Sequence, residues 1–471
     1  MSRYRVGSIE GRWENFIPPI QGGSFRTLAD DIESDDHAEK MASSSCSSHS
    51  SILDSSDTPG PTRRRSDLID DAHQDPAMAH LDAVSKQKIN LDLETYPSLD
   101  PFTQDAIVAK YRRLDAHIRA EGLYDCNYAA YAVEACRYAM LFAGMLLFLR
   151  WGWYVPSALC MGAFWHQISF FAHDAGHIGI THRFHTDSVL GILVADFMGG
   201  LSLGWWKKTH NTHHIVTNSP EHDPDIEYLP FLAVSHRFLA SLRSTYYDHV
   251  MEYDAAARFC VQIQKYLYYP LLAFGRFNLY RLSWEYLLTG QAPRKGPSWW
   301  HRHLEIAGQL FFWTWYGYGI VYKSIPNNAD RILFLVVSHV AVLPLHVQLA
   351  LSHFAMSTAD LGPQESFPQK MLRTTMDVDC PAWLDFFHGG LQFQVVHHLY
   401  PRIPRHNLRR TQKLVQEFCN DVGIPYALYG FVDGNERVVS SLGEVSRQAA
   451  IFAKCQKSLQ AERVHLSTHD H

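Results

Sequence analysis

Four runs of about 20 apolar residues, at 129–149, 154–172, 306–325 and 332–355, stand out from an otherwise mixed chain. As a helix, each is long enough to cross a hydrocarbon core of about 30 Å. They come as two close pairs, and Trp151, Trp153, Trp299 and Trp300 sit at run ends like an aromatic belt. The pattern predicts an all-α integral membrane protein with four transmembrane helices in two hairpins. A fifth apolar stretch, 189–205, is shorter and carries Asp196, Gly199, Gly200 and Gly204. It reads as a segment lying in, or dipping into, the membrane plane. Before the first run, Asp100-Pro101 is a cap and first-turn pair, and Ile107, Tyr111, Leu114 and Ile118 recur on one helical face. Gly122 is a natural stop, so an amphipathic helix is expected here.

The polar ends read differently. Residues 24–87, rich in Ser and Asp and almost free of aromatics, cannot build a core and read as disordered. Arg63, Arg64 and Arg65 before Ser66 read as a solvated charge run, with a basophilic kinase site as the functional alternative. Residues 436–471 read as a C-terminal helical or flexible tail, which leaves 88–435 as the folded membrane domain. The chain has 471 residues, with 42 Lys+Arg against 48 Asp+Glu. That near-neutral balance argues against a nucleic-acid binder. Its 8 cysteines form no CxxC pair, which excludes a thiolate zinc site and a disulfide scaffold and fits a reducing compartment. Basic residues gather between runs two and three (Lys207, Lys208, Arg276, Arg281, Arg294, Lys295, Arg302) and after run four. The positive-inside rule puts both segments, and both termini, in the cytosol.

Of the 28 histidines, seven fall in three short clusters: HDAGH at 173–177, HNTHH at 210–214 and QVVHH at 394–398. On helices these spacings project from one face. A single helical His is more often a hydrogen-bonded core residue, but three clusters at predicted membrane boundaries point to metal binding. Imidazole suits Zn, Cu, Fe and Ni. One tetrahedral zinc needs only three or four ligands, so seven or eight imply two metals. HDAGH and QVVHH are two crossings apart and so share one membrane face. HNTHH joins them only if 189–205 does not span.

Run four adds His339, His346 and His353, spaced by seven. Seven residues return to nearly one face and rise about 10.5 Å. His353 thus reaches the site, whereas His339, about 21 Å away, does not. The predicted ligands are His173, His177, His210, His213, His214, His353, His397 and His398, with Gln394 direct or through water. Asp174, Asp223 and Asp225 are placed to accept the ligands' other ring N–H. His222 reads as structural. His166, seven before His173, and His346 are expected to line a buried cavity beside the metals, with helix-to-helix hydrogen bonds as the alternative.

HDAGH, HNTHH and QVVHHLYPRIPRHNL, in this order between paired apolar runs, resemble the three histidine boxes of the membrane fatty acid desaturase family. The resemblance covers about 88–435, and Gln394 opening the third box is similar to the front-end type. YRVGSIEGRWENFIPPIQGG, LSHFAMST and WLDFFHGGLQFQVVHH resemble the fungal delta-8 sphingolipid branch, and so does the Val395-Val396 pair. The resemblance implies a cytosolic His-rich di-iron cap domain, two iron ions with O₂ as cosubstrate, and the endoplasmic reticulum membrane. It implies a lipid substrate, the long-chain base of a ceramide or glucosylceramide desaturated at the delta-8 position. Rival readings are a di-iron hydroxylase, a front-end fatty acid desaturase and a non-catalytic membrane binding protein. Front-end members carry an N-terminal cytochrome b5 domain with an HPGG haem motif, which is absent here; the nearest string is His388-Gly389-Gly390. Residues 1–23 then read as a remnant linker. The chain is expected to bind no haem and to draw electrons from a separate cytochrome b5 and NADH-cytochrome b5 reductase. Arg409 and Arg410, on a helix capped by Asn407, with Arg402 and Arg405 just before it, are the expected docking surface for that donor, with lipid headgroups as the bland alternative.

Overall fold

The computed structural model describes residues 8–9, 12–13 and 75–469. The linker expected at 1–23, apart from the antiparallel pair β1 (Ser8–Ile9) and β2 (Arg12–Trp13), and the expected disorder and charge run through residue 74 lie outside the described residues.

Order begins earlier than the composition suggests. Helix α1 (Pro76–Thr95) starts at an Asp75 cap, whose carboxylate accepts the Ala77 N–H at 2.8 Å. Residues 76–87 are therefore helical, which corrects the expected boundary at 88. The helix escapes a periodicity reading because only Ala77, Leu81 and Asp92 are buried. Its far end is anchored by charge: Arg373 Nη1 donates to Asp92 at 2.8 Å and its Nε to Glu365 at 2.7 Å. Helix α2 (Pro101–Ala120) buries Ile107, Tyr111, Leu114 and Ile118, the face its spacing marks out.

Helix α3 (Tyr128–Arg150) is long and apolar with few buried residues, as an outer membrane helix would be. Helix α4 (Tyr154–Gly176) is mostly buried and carries Ser157, His166 and Gln167 inside. Helix α5 (Phe184–Ile192) runs on as a π-helical turn, Leu193–Met198, and breaks; helix α6 (Leu203–Val216) leaves at 117°. The segment at 189–205 is thus a sharp bend. Helices α7 (Ala255–Ala273) and α8 (Gly275–Leu288) follow the short hairpin β3 (Arg243–Ser244) and β4 (His249–Val250). Helix α9 (His301–Phe312) continues as a π-helix to Ser324. Helices α10 (Asn328–Val340) and α11 (Leu343–Phe354) meet at a short break. Gly162 lets α10 approach α4, since a Cβ there would meet Ala341 Cβ at 2.5 Å.

Among the described helices, two are long and apolar enough to cross a membrane, Tyr128–Arg150 and Asn328–Phe354, or three if the bent pair α5–α6 counts as one span.

The rest of the molecule caps these helices. It comprises α12 (Phe367–Thr374), α13 (Asp385–His388), α14 (Gln394–Leu399), α15 (Leu408–Val422), α16 (Phe431–His469) and the parallel pair β5 (Asp377–Asp379) and β6 (Leu428–Gly430). One core joins α2 to α14 and α15 through Tyr111, Leu399, Tyr400 and Phe418. Another sets Val438, Leu442, Val445 and Phe452 of α16 against Leu81, Val261, Leu351 and Phe354. The expected tail is therefore helical as far as His469, and Val438, Leu442, Val445 and Phe452 of it belong to the core.

Candidate metal centre

The HDAGH cluster closes α4, HNTHH fills the last two turns of α6, and QVVHH makes up most of the short α14. His353 stands in the last turn of α11. Four separate elements thus end at one place. Ring nitrogens of His173, His177, His210 and His397 all lie within 4.8 Å of one another, and so do those of His213, His353 and His398. His214 lies between the two groups: its Nε2 is 3.1 Å from His210 Nε2, and its ring stacks on His398 at 4.2 Å. All eight predicted ligands come together, four in one set, three in the adjacent one and His214 between them. His177, His210, His213, His214, His353, His397 and His398 are buried.

The donor chemistry fits two cations. Nε2 of His173, His177, His397 and His398 is buried without a hydrogen-bond partner. His213 Nε2 faces His353 Nε2 at 3.4 Å. Buried polar atoms almost always find partners, and a knot of free imidazole nitrogens is a donor set that a metal ion fits. Burial, reinforced by the neighbouring imidazoles, holds His177, His397 and His398 well below the usual histidine range. They are neutral and offer lone pairs, as ligation requires.

The outer hydrogen bonds aim these rings. Asp223 Oδ2 accepts His213 Nδ1–H and the Asn218 N–H, each at 2.8 Å, and Oδ1 accepts the Asp225 N–H at 2.9 Å. Asp225 lies 3.5 Å from His210 Nδ1. The side chain of Asp174 lies 3.8 Å from His173 Nδ1, and its other oxygen is taken by Tyr131 and Arg405. Gln394 is buried with a free Oε1, in a small cleft it shares with His173, His397 and Arg405.

Two orienting residues carry no motif. Thr217 donates to the His213 carbonyl at 2.6 Å, so its oxygen accepts His398 Nδ1–H at 3.2 Å. Asn218, in left-handed backbone at φ 57°, donates to the carbonyls of His353 at 2.9 Å and Thr374 at 3.2 Å. It thereby ties the second cluster to the end of α11. The only trace in the sequence is an Asn just past the helix end, where that conformation is tolerated.

The expected docking surface needs correction. Arg405 is buried between Asp174, Glu134 and the Tyr131 ring, with its guanidinium carbon 4.9 Å from that ring's centre. It neutralises two carboxylates inside the protein and presents nothing to a partner. Asn407 occupies the cap position of α15, but its amide donates to the Leu123 and Asp125 carbonyls instead. Arg402 is half-buried, Arg409 pairs with Asp385 at 2.9 Å, and Arg410 is exposed beside Glu121 at 2.7 Å. His166 and His346 are buried one heptad below His173 and His353.

A sequence model of the Fatty acid desaturase family matches residues 127–430. The Delta 8-(E)-sphingolipid desaturase of Emericella nidulans is 59% identical over 100% of this chain and 87% of its own length. Proteins of the same name from Kluyveromyces lactis (46% identical, 99% of this chain and 85% of the relative) and Candida albicans (43%, 98% and 87%) are also similar. The family model spans all four elements that bring imidazoles to the two sets, and with this identity along the whole length the chain belongs to the fatty acid desaturase family.

Proposed function

We propose that this oxidoreductase catalyses the O₂-dependent desaturation of the long-chain base of a sphingolipid, ceramide or glucosylceramide, at the delta-8 position. The observation that carries the chemistry is the pair of adjacent imidazole-only sets; the substrate follows from the names of relatives alike over 85–87% of their length. His173, His177, His210 and His397 would hold one iron and His213, His353 and His398 the other, with His214 between them and Gln394 through water. Bound iron supplies O₂ activation and the cleavage of an aliphatic C–H bond, which no side chain performs.

The chain's own groups position and enclose. Asp223 and Thr217 hold His213 and His398 in the tautomer whose Nε2 faces inward. Trp206 stacks on His210 at 4.4 Å and lies 5.3 Å from His173, closing one side of the first set to water. In this reading α3, α4, α9 with its π extension, and α10–α11 are four spans of the endoplasmic reticulum membrane, and the metals lie at the cytosolic face. Electrons arrive from cytochrome b5 and its NADH-linked reductase, at a surface that includes Arg402, Arg409 and Arg410.

The test is lipid mass spectrometry of cells lacking sphingolipid desaturation, with and without this chain. A long-chain base lighter by two hydrogens, with its double bond at C8, is expected. His213→Ala and His397→Ala should abolish it while the protein stays in the membrane. A product heavier by one oxygen, or double bonds confined to acyl chains, would overturn the reading.

A further inference from the structure

One short turn of the cap, α13, bridges α4 and α11 on the membrane side of the ligands that those helices carry. The Phe386 carbonyl accepts Gln167 Nε2–H at 2.9 Å, and Gln167 precedes His173 by six residues, a rise of about 9 Å. His388 Nδ1 lies 2.9 Å from Gln348 Oε1, and Gln348 precedes His353 by five residues, about 7.5 Å. Between these two points the Phe387 ring packs on the His166 ring, with centres 5.1 Å apart. The backbone suits that depth, where polar groups need partners: besides the Phe386 carbonyl, the Gly389 N–H donates to the Asp385 carbonyl at 2.8 Å.

The two sides of this turn differ. Outward, Trp383 is 72% exposed and Phe386 46%, with Arg137 of α3 lying 4.9 Å from the Phe386 ring centre. Large aromatic rings left open at the membrane boundary face lipid. Inward, Gly389 and Gly390 line the cleft that holds Gln394 and two ligands of the first set, His173 and His397. One turn of chain thus stands between lipid and the first set. It is lightly held. Gly389 and Gly390 are in left-handed backbone, at φ 59° and 97°, a pair of small residues suited to a hinge. Besides the contacts to Gln167 and Gln348, the turn is tied to the cap by Asp385 with Arg409 of α15, each about a third exposed and so weakly paired. By contrast, every residue of α14, which begins only four positions after Gly390, is buried.

We infer that α13 is the gate through which the alkyl chain of the substrate passes from the bilayer to the metal centre: the turn swings on Gly389 and Gly390, and the chain enters between α4 and α11. This rests on the membrane desaturase reading above. A sphingolipid lies with its polar head at the membrane surface, and only its chain has to reach the metals. An entry walled by Phe170, Phe387 and Leu391 suits methylene groups and asks no polar group to descend below its own reacting carbons. Opening exchanges contacts between apolar side chains for contacts with an apolar chain, so the loss to be made good is confined to the three polar ties. Gly389 serves the closed state as well, because a Cβ there would run into the Phe170 ring.

The experiment uses the iron-loaded chain in lipid bilayers and a ceramide with a photoreactive diazirine in its long-chain base, with the label mapped by peptide mass spectrometry. Label should fall on residues 382–391 and on the facing stretches 166–170 and 345–352, and an excess of plain ceramide should lower it by about tenfold or more. Competed label on α7 or α8, with none on 382–391, would overturn the gate. Deuterium exchange reads the motion in the same sample. The amides of 386–390 should exchange about tenfold or more faster than those of α14, as a turn that opens locally must. Exchange as slow as in α14 would overturn the gate as well. A diazirine on the acyl chain of phosphatidylcholine that labels 382–391, and is displaced by phosphatidylcholine but not by ceramide, would instead overturn the sphingolipid reading and uphold the gate.

Discussion

Asp223 shows how much a single carboxylate can decide. It is fully buried and accepts three hydrogen bonds, one from the His213 ring and two from the backbone that follows α6. Asp223→Asn should weaken iron binding at the His213 set by about 10–100-fold, the usual cost of losing an orienting partner. Iron per chain, titrated against a chelator, should fall toward half of the wild-type value. Asp377 plays a related role for the third cluster: it accepts the Val395 N–H at 2.8 Å, where α14 begins, together with Gln412 Nε2 at 2.8 Å and the Tyr426 hydroxyl. Burial outweighs these donors and pushes its carboxyl up to about 7, from a usual 3.8. The folded state therefore holds a proton that the unfolded chain has lost between those two values. Stability from this residue falls as pH rises from about 4 to 7. The thermal midpoint of the wild type should fall across that window relative to Asp377→Asn, in which the slope should flatten.

Among the elements, the break between α5 and α6 matters most, because it turns HNTHH toward the other clusters. Its backbone is held from several sides. Asp196 accepts the Leu203 N–H at 3.2 Å, and Glu305 on α9 accepts the Gly204 N–H at 3.1 Å and the Ser202 hydroxyl at 2.5 Å. Two carboxyl groups thus serve the first turn of α6, whose N–H groups have no partner within the helix. From α8, Arg276 donates to the Gly199 carbonyl and lies 4.1 Å from the Trp165 ring centre. Gly200 turns the chain at φ 68°, and a Cβ there would come within 2.4 Å of the Phe312 ring. Gly200→Ala should cost about 1–2 kcal/mol for the left-handed backbone alone, and more for the clash. A lowered thermal midpoint together with partial iron loading is expected; an unchanged midpoint would mean that the bend tolerates a side chain.

Across the whole molecule, the two ends of the folded chain close the cap. Helix α16 packs its Val438, Leu442 and Val445 on α1, α7 and α11, Ser446 donates to the Val261 carbonyl at 2.7 Å, and His80 lies 2.7 Å from Gln448. Deleting 436–471 would leave Leu81, Val261, Leu351 and Phe354 uncovered, next to the helix that carries His353. The truncated chain should aggregate on extraction from the membrane, read as the loss of a monodisperse peak in size-exclusion chromatography. Donor docking also belongs to this scale. Arg410 and Lys413 are exposed on α15, whereas Arg405 is buried. Arg410→Glu with Lys413→Glu should slow reduction by cytochrome b5 at low salt and leave the double-bond position unchanged. Equal rates would move the docking surface elsewhere. Arg405→Met should lower stability instead, because it removes the guanidinium from two buried carboxylates and leaves Asp174 with only Tyr131 and His173, and Glu134 with His406 and Tyr138.

What the sequence determined by itself follows local rules. The apolar runs that become Tyr128–Arg150 and Asn328–Phe354, the histidine spacings on one helical face and the heptad from His346 to His353 are properties of a few consecutive turns, legible without a fold. The same rules identify the buried face of α2 from Ile107 to Ile118. Partner choice is long-range, and only the tertiary structure decided it. Within HNTHH, His210 joins the set of the first cluster, His213 joins His353, and His214 stands between them; that division depends on how α4, α6, α11 and α14 meet. Arg405 looks like its exposed neighbour Arg410 until Asp174 and Glu134, both more than two hundred residues earlier, close around it. Helix α1 shows little periodicity because Arg373 holds it through charge. Residues 436–471 read as a tail because their apolar side chains are sparse, and the described ones count as core only once α1, α7 and α11 stand beside them.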